Sequence, residues 1–185
     1  MLADERSKIV LADFHRQWLE LSKIETIEKD VTVIQGFIDD LRPLMRQETE
    51  SFVDAIISGT KADFPSLLTA PFSFMNAKLA AFYGIKGPTG DAFQRVELDP
   101  AKYAGILTQG GLLALHAHAN QTSPVHRGLF VRKQLLCDSP PPPPANVVID
   151  LPVLDAKLST RQRFSQHATS AFCGSCHQLD RKSVV

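Results

Sequence analysis

The sequence has no excess of charge of either sign, because 20 basic residues balance 20 acidic residues in a chain of 185. A balanced surface gives no reason to expect a nucleic acid or an anionic membrane as a partner. The chain also lacks any run of about 18 apolar residues, the length that a membrane-spanning helix needs. We therefore expect neither nucleic-acid binding nor a membrane span.

Cysteine is scarce, and its number is odd. Of the three cysteines, Cys173 and Cys176 form a Cys-x-x-Cys pair, whereas Cys137 lies far upstream of them. A framework made only of disulfides would leave one thiol over. The cysteine pattern therefore favours a special use of the close pair over general cross-linking.

The chemistry of this pair is indicated by the residue that follows it. Residues 173–177 read Cys-Gly-Ser-Cys-His, the attachment signature of c-type haem. Two thiols three positions apart lie on one face of a turn, where both can form thioether bonds to the haem vinyl groups. The sequence predicts haem c bound covalently by Cys173 and Cys176, with His177 as the axial ligand of the haem iron. It assigns no catalytic residue.

Two other uses of the same residues compete with the haem interpretation. A structural zinc ion could be bound by Cys173, Cys176 and His177, with Cys137 or His167 as the fourth ligand. Adjacent cysteine and histidine ligands would be awkward in one tetrahedron. A disulfide or redox pair is the other alternative, although the chain lacks the βαβ pattern of thioredoxin-like proteins.

The sixth ligand of the haem iron is not assigned by the sequence, although a methionine or a histidine normally supplies it in an electron-transfer protein. The candidates are His116, His118, His126, His167, Met45 and Met75. His116 and His118 are two residues apart, so on a helix they would face different sides and would not act together.

Helical periodicity dominates the chain and predicts an all-α fold, an irregular helical bundle. Apolar spacing and capping residues predict the following segments as helices: 5–21, from Asp39 or Asp40 to Gly59, 73–83, 103–118, Ser123 to Leu136, and from Ser159 or Thr160 to Phe172. On the first of these, we expect Ile9, Val10, Phe14, Trp18 and Leu21 to face the core. On the second, the expected apolar face is Leu41, Leu44, Met45, Phe52, Val53 and Ile56. The turn-rich stretch 85–100 has room for one short strand, Phe93 to Leu98.

The turn-rich stretch also suggests a boundary between two domains. We expect a helical domain at residues 1–88 and a second helical domain at residues 100–185. The second contains Pro140 to Pro144, a run that has no amide hydrogens and forms a stiff polyproline strap. The haem-attachment turn closes this second domain.

Seven segments resemble a group of large exported bacterial proteins of unknown function. The segments are FHRQWLEL (14–21), RQETESFVDAI (46–56), LLTAPFSFMNAKLAAFYGI (67–85), GILTQGGLLAL (105–115), TSPVHRGLFVRKQLLC (122–137), the proline run, and RQRFSQHATSAFCGSCHQLD (161–180). Those proteins carry tandem uncharacterised domains, often alongside a cytochrome-c-like domain. In such a protein, residues 1–88 would be the C-terminal part of a longer uncharacterised domain, and residues 100–185 would be a truncated second domain. The resemblance implies that this chain is an internal fragment with its export signal upstream, because residues 1–14 have no apolar signal core.

Motif and resemblance together lead to one expected function. We expect a c-type haem-binding electron-transfer module of a larger exported protein, periplasmic or otherwise extracytoplasmic. Its partner would be a redox protein or an attached domain of the complete protein. Two alternatives stay open: a helical scaffold or interaction module with a structural zinc or disulfide site, and part of a haem-dependent oxidoreductase. Whether the protein is an enzyme is not decided by the sequence.

Overall fold

The computed structural model describes residues 4–140, 152–155 and 157–168. The chain divides into two compact units, Met1–Asn120 and Gln121–Val185. The elements of the first unit are α1 (Glu5–Trp18), α2 (Leu41–Ile57), α3 (Phe64–Thr69), β1 (Phe72–Met75), α4 (Ala77–Tyr83), β2 (Gln94–Glu97) and α5 (Gly110–Leu115), with 3₁₀ turns at Leu21–Thr26 and Ile106–Thr108. The second unit contains α6 (Pro124–Phe130), a π-helical turn at Val131–Leu135, and α7 (Thr160–Ala168). Among the described residues, no helix combines the length and the apolar character that crossing a membrane would require.

Helix α2 is the centre of packing in the first unit, where it contacts α1, α3, α4, α5 and β1. Its buried positions recur at the three- and four-residue spacing of one helical face. They are Leu41, Met45, Glu48, Thr49, Phe52 and Val53. The apolar members belong to the predicted face, and the predicted start is confirmed because Asp40 immediately precedes the helix. Glu48 and Thr49 are polar residues on the same buried face, and the sequence analysis did not predict their burial.

The fold is mostly helical, but the prediction of an all-α fold is wrong in one place. Residues Phe72 to Met75 form β1, which pairs antiparallel with β2, although Ser73 to Met75 were predicted as the first turn of a helix. Helix α4 begins only after Asn76, whose side chain accepts a hydrogen bond from the Leu79 N–H at 2.9 Å. The Phe-Ser-Phe-Met stretch suits a pleated strand because its aromatic side chains pack well there, with Phe72 against Phe52 of α2. The short strand predicted within residues 93–98 is confirmed by β2.

The segment predicted as one helix from Tyr103 to His118 is a 3₁₀ turn followed by the shorter helix α5. Gly105 precedes the turn with a φ of +58°, a conformation that glycine adopts without strain. A Cβ atom on Gly105 would lie 2.3 Å from the Leu67 carbonyl oxygen, so the chain passes directly over α3. This close crossing breaks the helical pattern.

The inward face of α1 differs from the predicted one. Ile9, Val10 and Phe14 are exposed, with 68%, 67% and 57% of their surface accessible. Trp18 is half-buried and stacks on Phe14 at 6.2 Å between ring centroids. The side chains of α1 that face α2 across a small cavity are Lys8, Leu11, Ala12 and His15. This face also follows helical spacing, and it is the one turned toward α2, because Leu11 and Ala12 line the same cavity as Val53 and Ile57.

Packing of the first unit continues beyond the turn-rich stretch as far as Asn120. Ile106 and Leu112 are buried, with 0% and 3% of their surface exposed. Gly111 lets α5 approach α2 closely, because a Cβ atom there would lie 2.9 Å from the Met45 carbonyl oxygen. The proposed domain limits, 1–88 and 100–185, were drawn from sequence patterns and stay predictions.

In the second unit, both predicted helix starts are confirmed. Ser123 caps α6 by accepting a hydrogen bond from the His126 N–H, and Pro124 occupies the first helical position. Ser159 and Gln162 cap α7 reciprocally, each side chain accepting from the other residue's backbone N–H. The predicted strap, Pro140 to Pro144, lies outside the described residues except for its first proline and stays a prediction.

The contribution of α5 to the first unit leads to a stability prediction. Leu112→Ala should lower the free energy of unfolding by about 2–5 kcal/mol, because the substitution leaves a cavity in a packed core. Urea unfolding followed by the fluorescence of Trp18, the single tryptophan, would measure the change. The matched control is Ile9→Ala on the exposed face of α1, where we expect a change within about 0.5 kcal/mol. A larger loss for Ile9→Ala than for Leu112→Ala would contradict this description of the core.

Candidate functional site

The residues predicted to attach haem, Cys173, Cys176 and His177, lie outside the described residues. Their role therefore stays a prediction. Among the residues that the structure describes, no group of three or more histidine, cysteine, aspartate or glutamate side chains is arranged to bind a metal ion. Cys137, the fourth zinc ligand considered above, is exposed in the second unit.

The candidates for the sixth ligand occupy different surroundings. Met45 and Met75 are core residues of the first unit, with 2% and 0% of their surface exposed. His116 and His118 are partly buried, and α5 ends at Leu115, so they do not lie on one helix as the sequence suggested. The backbone of His126 is in the first turn of α6, and its side chain is exposed. The side chain of the remaining candidate, His167, lies outside the described residues.

The first unit contains a buried polar cluster that the sequence analysis missed. Its centre is the carboxyl group of Glu48, which accepts a hydrogen bond from the Ser73 hydroxyl at 2.6 Å. The other carboxyl oxygen accepts from the Tyr83 hydroxyl at 2.7 Å. Ser73 in turn accepts a hydrogen bond from Gln109 Nε2 at 3.2 Å. One carboxyl group thus connects helix α2 to β1 and α4, and through Ser73 to the residue that precedes α5.

Burial controls the protonation of this carboxyl group. Glu48 has 2% of its surface exposed, and it forms no ion pair with any residue that the structure describes. Burial raises the pKa of Glu48 from 4.5 to about 7, and the hydrogen bonds from Ser73 and Tyr83 limit the rise. The side chain can therefore hold or release a proton near neutral pH. Such a group is a candidate for functional chemistry.

Tyr83 is positioned by a glycine of α5. A Cβ atom on Gly110 would lie 2.1 Å from the Tyr83 hydroxyl oxygen, so any larger residue would displace the phenol ring. Burial raises the pKa of Tyr83 well above its ordinary value, and the neighbouring Glu48 charge adds to this effect. The phenol thus stays protonated and acts as a hydrogen-bond donor to Glu48.

The cluster forms one side of a cavity of about 200 Å³. The polar side chains that line it are Glu48, Ser73, Tyr83, Tyr103, Thr108 and Gln109. The apolar ones are Ala70, Phe72, Met75, Ile85, Leu98 and Leu113. Gln109 has 4% of its surface exposed, and its Oε1 atom accepts no hydrogen bond from the described residues. The cavity thus combines apolar walls with an unsatisfied polar group.

One signal in the sequence could have identified the cluster. Positions 41, 45, 48, 49, 52 and 53 form a continuous helical face, and a glutamate on an otherwise apolar face is uncommon because burial of a charge is costly. No comparable signal in the sequence marks Ser73, Tyr83 or Gln109 as members of the cluster. They depend on how β1, α4 and α5 pack around α2, which sequence spacing does not reveal.

Comparison with known families divides the chain into two matched segments. Residues 1–85 match PSD4, a protein of unknown function (DUF1592), and residues 103–182 match PSCyt3, a protein of unknown function (DUF1588). The expectation of two tandem uncharacterised domains is confirmed. No curated protein and no solved structure matches the chain.

The close contact between Gly110 and Tyr83 gives a prediction about α5. Gly110→Ala should lower the free energy of unfolding by about 1–3 kcal/mol or more, because the added methyl group overlaps the phenol ring. Urea unfolding of the first unit, followed by Trp18 fluorescence, would test this. The matched control is Gly128→Ala in α6, where the added Cβ atom meets no atom within 4 Å. An equal loss of stability in both variants would show that the Tyr83 contact is unimportant.

The raised pKa of Glu48 predicts how stability depends on pH. Between about pH 4.5 and pH 7 the folded state holds a proton that the unfolded state has released. The free energy of unfolding should therefore fall as the pH rises through this window, by an amount on the order of 3 kcal/mol.

Glu48→Gln should remove this loss, because an amide does not ionise. Urea unfolding at pH 5, 6, 7 and 8 would compare the two proteins, with Glu97→Gln on the exposed surface of β2 as the control. We expect the curve of the control to run parallel to that of the wild type. Parallel curves for the wild type and Glu48→Gln would refute the raised pKa.

Proposed function

We propose that this chain is a c-type haem-binding electron-transfer module of a larger exported protein. The observation that carries the proposal is the Cys-Gly-Ser-Cys-His motif at residues 173–177. The two matched families have no known function, so they supply a domain context and no reaction.

The chemistry of the donor set fits a covalently attached haem. Cys173 and Cys176 offer two thiols at the spacing that haem attachment uses, and His177 offers an imidazole directly after the second thiol. When bound, the haem iron supplies one-electron redox chemistry. Cys173 and Cys176 would tether the group, and the imidazole of His177 would bind its iron.

Burial narrows the choice of a sixth ligand. Met45 and Met75 are packed in the core of the first unit, so their thioether groups could bind iron only if that core opened. We therefore favour a histidine over a methionine. Haem c attachment takes place outside the bacterial cytoplasm, and the proposal accordingly assigns the complete protein to the periplasm or another extracytoplasmic compartment.

The experiment is expression of the chain behind an export signal, in a bacterial host that has the haem c maturation system. We expect a coloured protein whose denatured mass exceeds that of the polypeptide by one haem, with the pyridine haemochrome spectrum of a haem that has lost both vinyl groups. Cys173→Ala combined with Cys176→Ala should abolish covalent haem. The matched control, Cys137→Ser, removes the third thiol and should keep the haem in full.

The same preparation separates the alternatives. A colourless protein with one zinc ion per chain would overturn the proposal in favour of a structural metal site. A colourless protein whose mass is lower by two hydrogens would do so in favour of a disulfide between Cys173 and Cys176. Loss of haem in Cys137→Ser as well as in the double variant would also contradict it, since the motif alone should determine attachment.

A further inference from the structure

The cavity beside Glu48 has the dimensions of a site for a small molecule. Its volume is about 200 Å³, and an engineered apolar cavity of about 150 Å³ in another protein binds benzene. A ligand of about six to eight non-hydrogen atoms would therefore fit. Phe72, Ile85, Leu98 and Leu113 provide apolar walls, so the body of such a ligand should be a hydrocarbon.

The hydrogen bonds of the polar cluster determine what the cavity offers to a ligand. Ser73 has one hydroxyl proton, which it donates to Glu48. In its contact with Gln109, the Ser73 oxygen can therefore only accept a hydrogen bond. The amide nitrogen of Gln109 must face Ser73 to donate that hydrogen bond. This orientation leaves Gln109 Oε1 without a partner among the described residues. The Tyr83 proton is likewise donated to Glu48, so the phenol oxygen has only acceptor capacity left.

The charge of the cluster adds a second requirement. When Glu48 is ionised it carries a buried negative charge that no cation of the described residues balances. Arg95 lies over the Phe72 ring of the apolar wall, 3.7 Å from the ring centroid, and pairs with Glu97 at 2.7 Å. A ligand that enters this cavity is therefore most strongly favoured when it brings a positive charge together with hydrogen-bond donors.

We propose that the cavity lined by Glu48, Tyr83 and Gln109 binds a small primary amine as its ammonium ion. The ammonium group donates hydrogen bonds to Gln109 Oε1 and to the Tyr83 oxygen, and its charge balances the carboxylate of Glu48. The hydrocarbon part of the amine occupies the apolar walls. This binding site is independent of the proposed haem attachment.

Other ligand classes fit the cavity less well. A carboxylic acid would bring a second negative charge to Glu48. A pure hydrocarbon would leave Gln109 Oε1 unsatisfied, at the full cost of desolvating a buried acceptor. An alcohol could satisfy that acceptor, but it would not balance the carboxylate. A divalent metal ion needs more carboxylate or imidazole ligands than the described part of this site provides.

The test uses three probes that share one ring: benzylamine, benzyl alcohol and benzoate. Each is titrated into the isotope-labelled full chain at pH 8 and followed by amide chemical shifts in two-dimensional NMR. We expect saturable binding of benzylamine that is at least about tenfold tighter than that of benzyl alcohol. The largest shifts should come from residues 105–113, and benzoate should not bind.

Two substitutions examine the polar groups one at a time. Gln109→Leu removes the unsatisfied acceptor and Glu48→Gln removes the charge, and each should weaken benzylamine binding at least about tenfold. The matched controls are Gln47→Leu and Glu50→Gln, which change neighbouring residues of α2 that do not line this cavity. Both controls should bind benzylamine like the wild type. The NMR spectrum of each variant shows directly whether it is folded.

A pH series on the wild type keeps the test decisive if a variant fails to fold. Benzylamine binding should strengthen from pH 6 to pH 8 as Glu48 ionises, since no other carboxyl group, imidazole or amine of the described residues lines the cavity and burial keeps the pKa of Tyr83 well above its ordinary value. Three results would overturn the proposal: benzyl alcohol binding as tightly as benzylamine, unchanged binding in Glu48→Gln, or no saturable binding of the amine. The last would mean that the cavity holds only water.

Discussion

The burial of one carboxyl group, that of Glu48, is the constraint on which the first unit depends. A buried charge without a cation is destabilising unless hydrogen bonds compensate for it. Here they come from Ser73 on β1 and Tyr83 on α4. Helix α2, strand β1 and helix α4 must therefore keep their relative positions. The two hydrogen bonds fix these positions in an otherwise apolar core. The same requirement explains why Gly110 has no side chain, because Tyr83 could not otherwise reach the carboxyl group.

Much of the helical framework could be predicted because it depends on local signals. Ser123 with Pro124, Ser159 with Gln162, and Gly84 after α4 mark helix ends through short-range hydrogen bonds and allowed backbone angles. Spacing also identified the apolar positions of α2 and the strand β2. These features need only a few consecutive residues, which a single sequence displays.

The remaining features depend on which elements meet in space. Two faces of α1 have helical spacing, and only the position of α2 decides that Leu11 is turned toward α2 while Ile9 and Phe14 face outward. Residues 72–75 read equally well as the start of a helix until their pairing with β2 is known. The polar cluster is assembled from three separated parts of the chain, so it was invisible to an analysis of motifs. The haem motif shows the opposite case, because its five consecutive residues carry the whole chemical argument.

The position of α5 has a consequence for how this protein can evolve. The helix belongs to the segment that matches the second family, which begins at residue 103, yet it packs within the unit that ends at Asn120. A gene rearrangement that deleted the coding sequence after residue 102 would remove Gln109 and Leu112. The apolar surface of α2 would then be exposed. In this chain the two matched segments are thus structurally interdependent, because part of the second completes the core of the unit that contains the first.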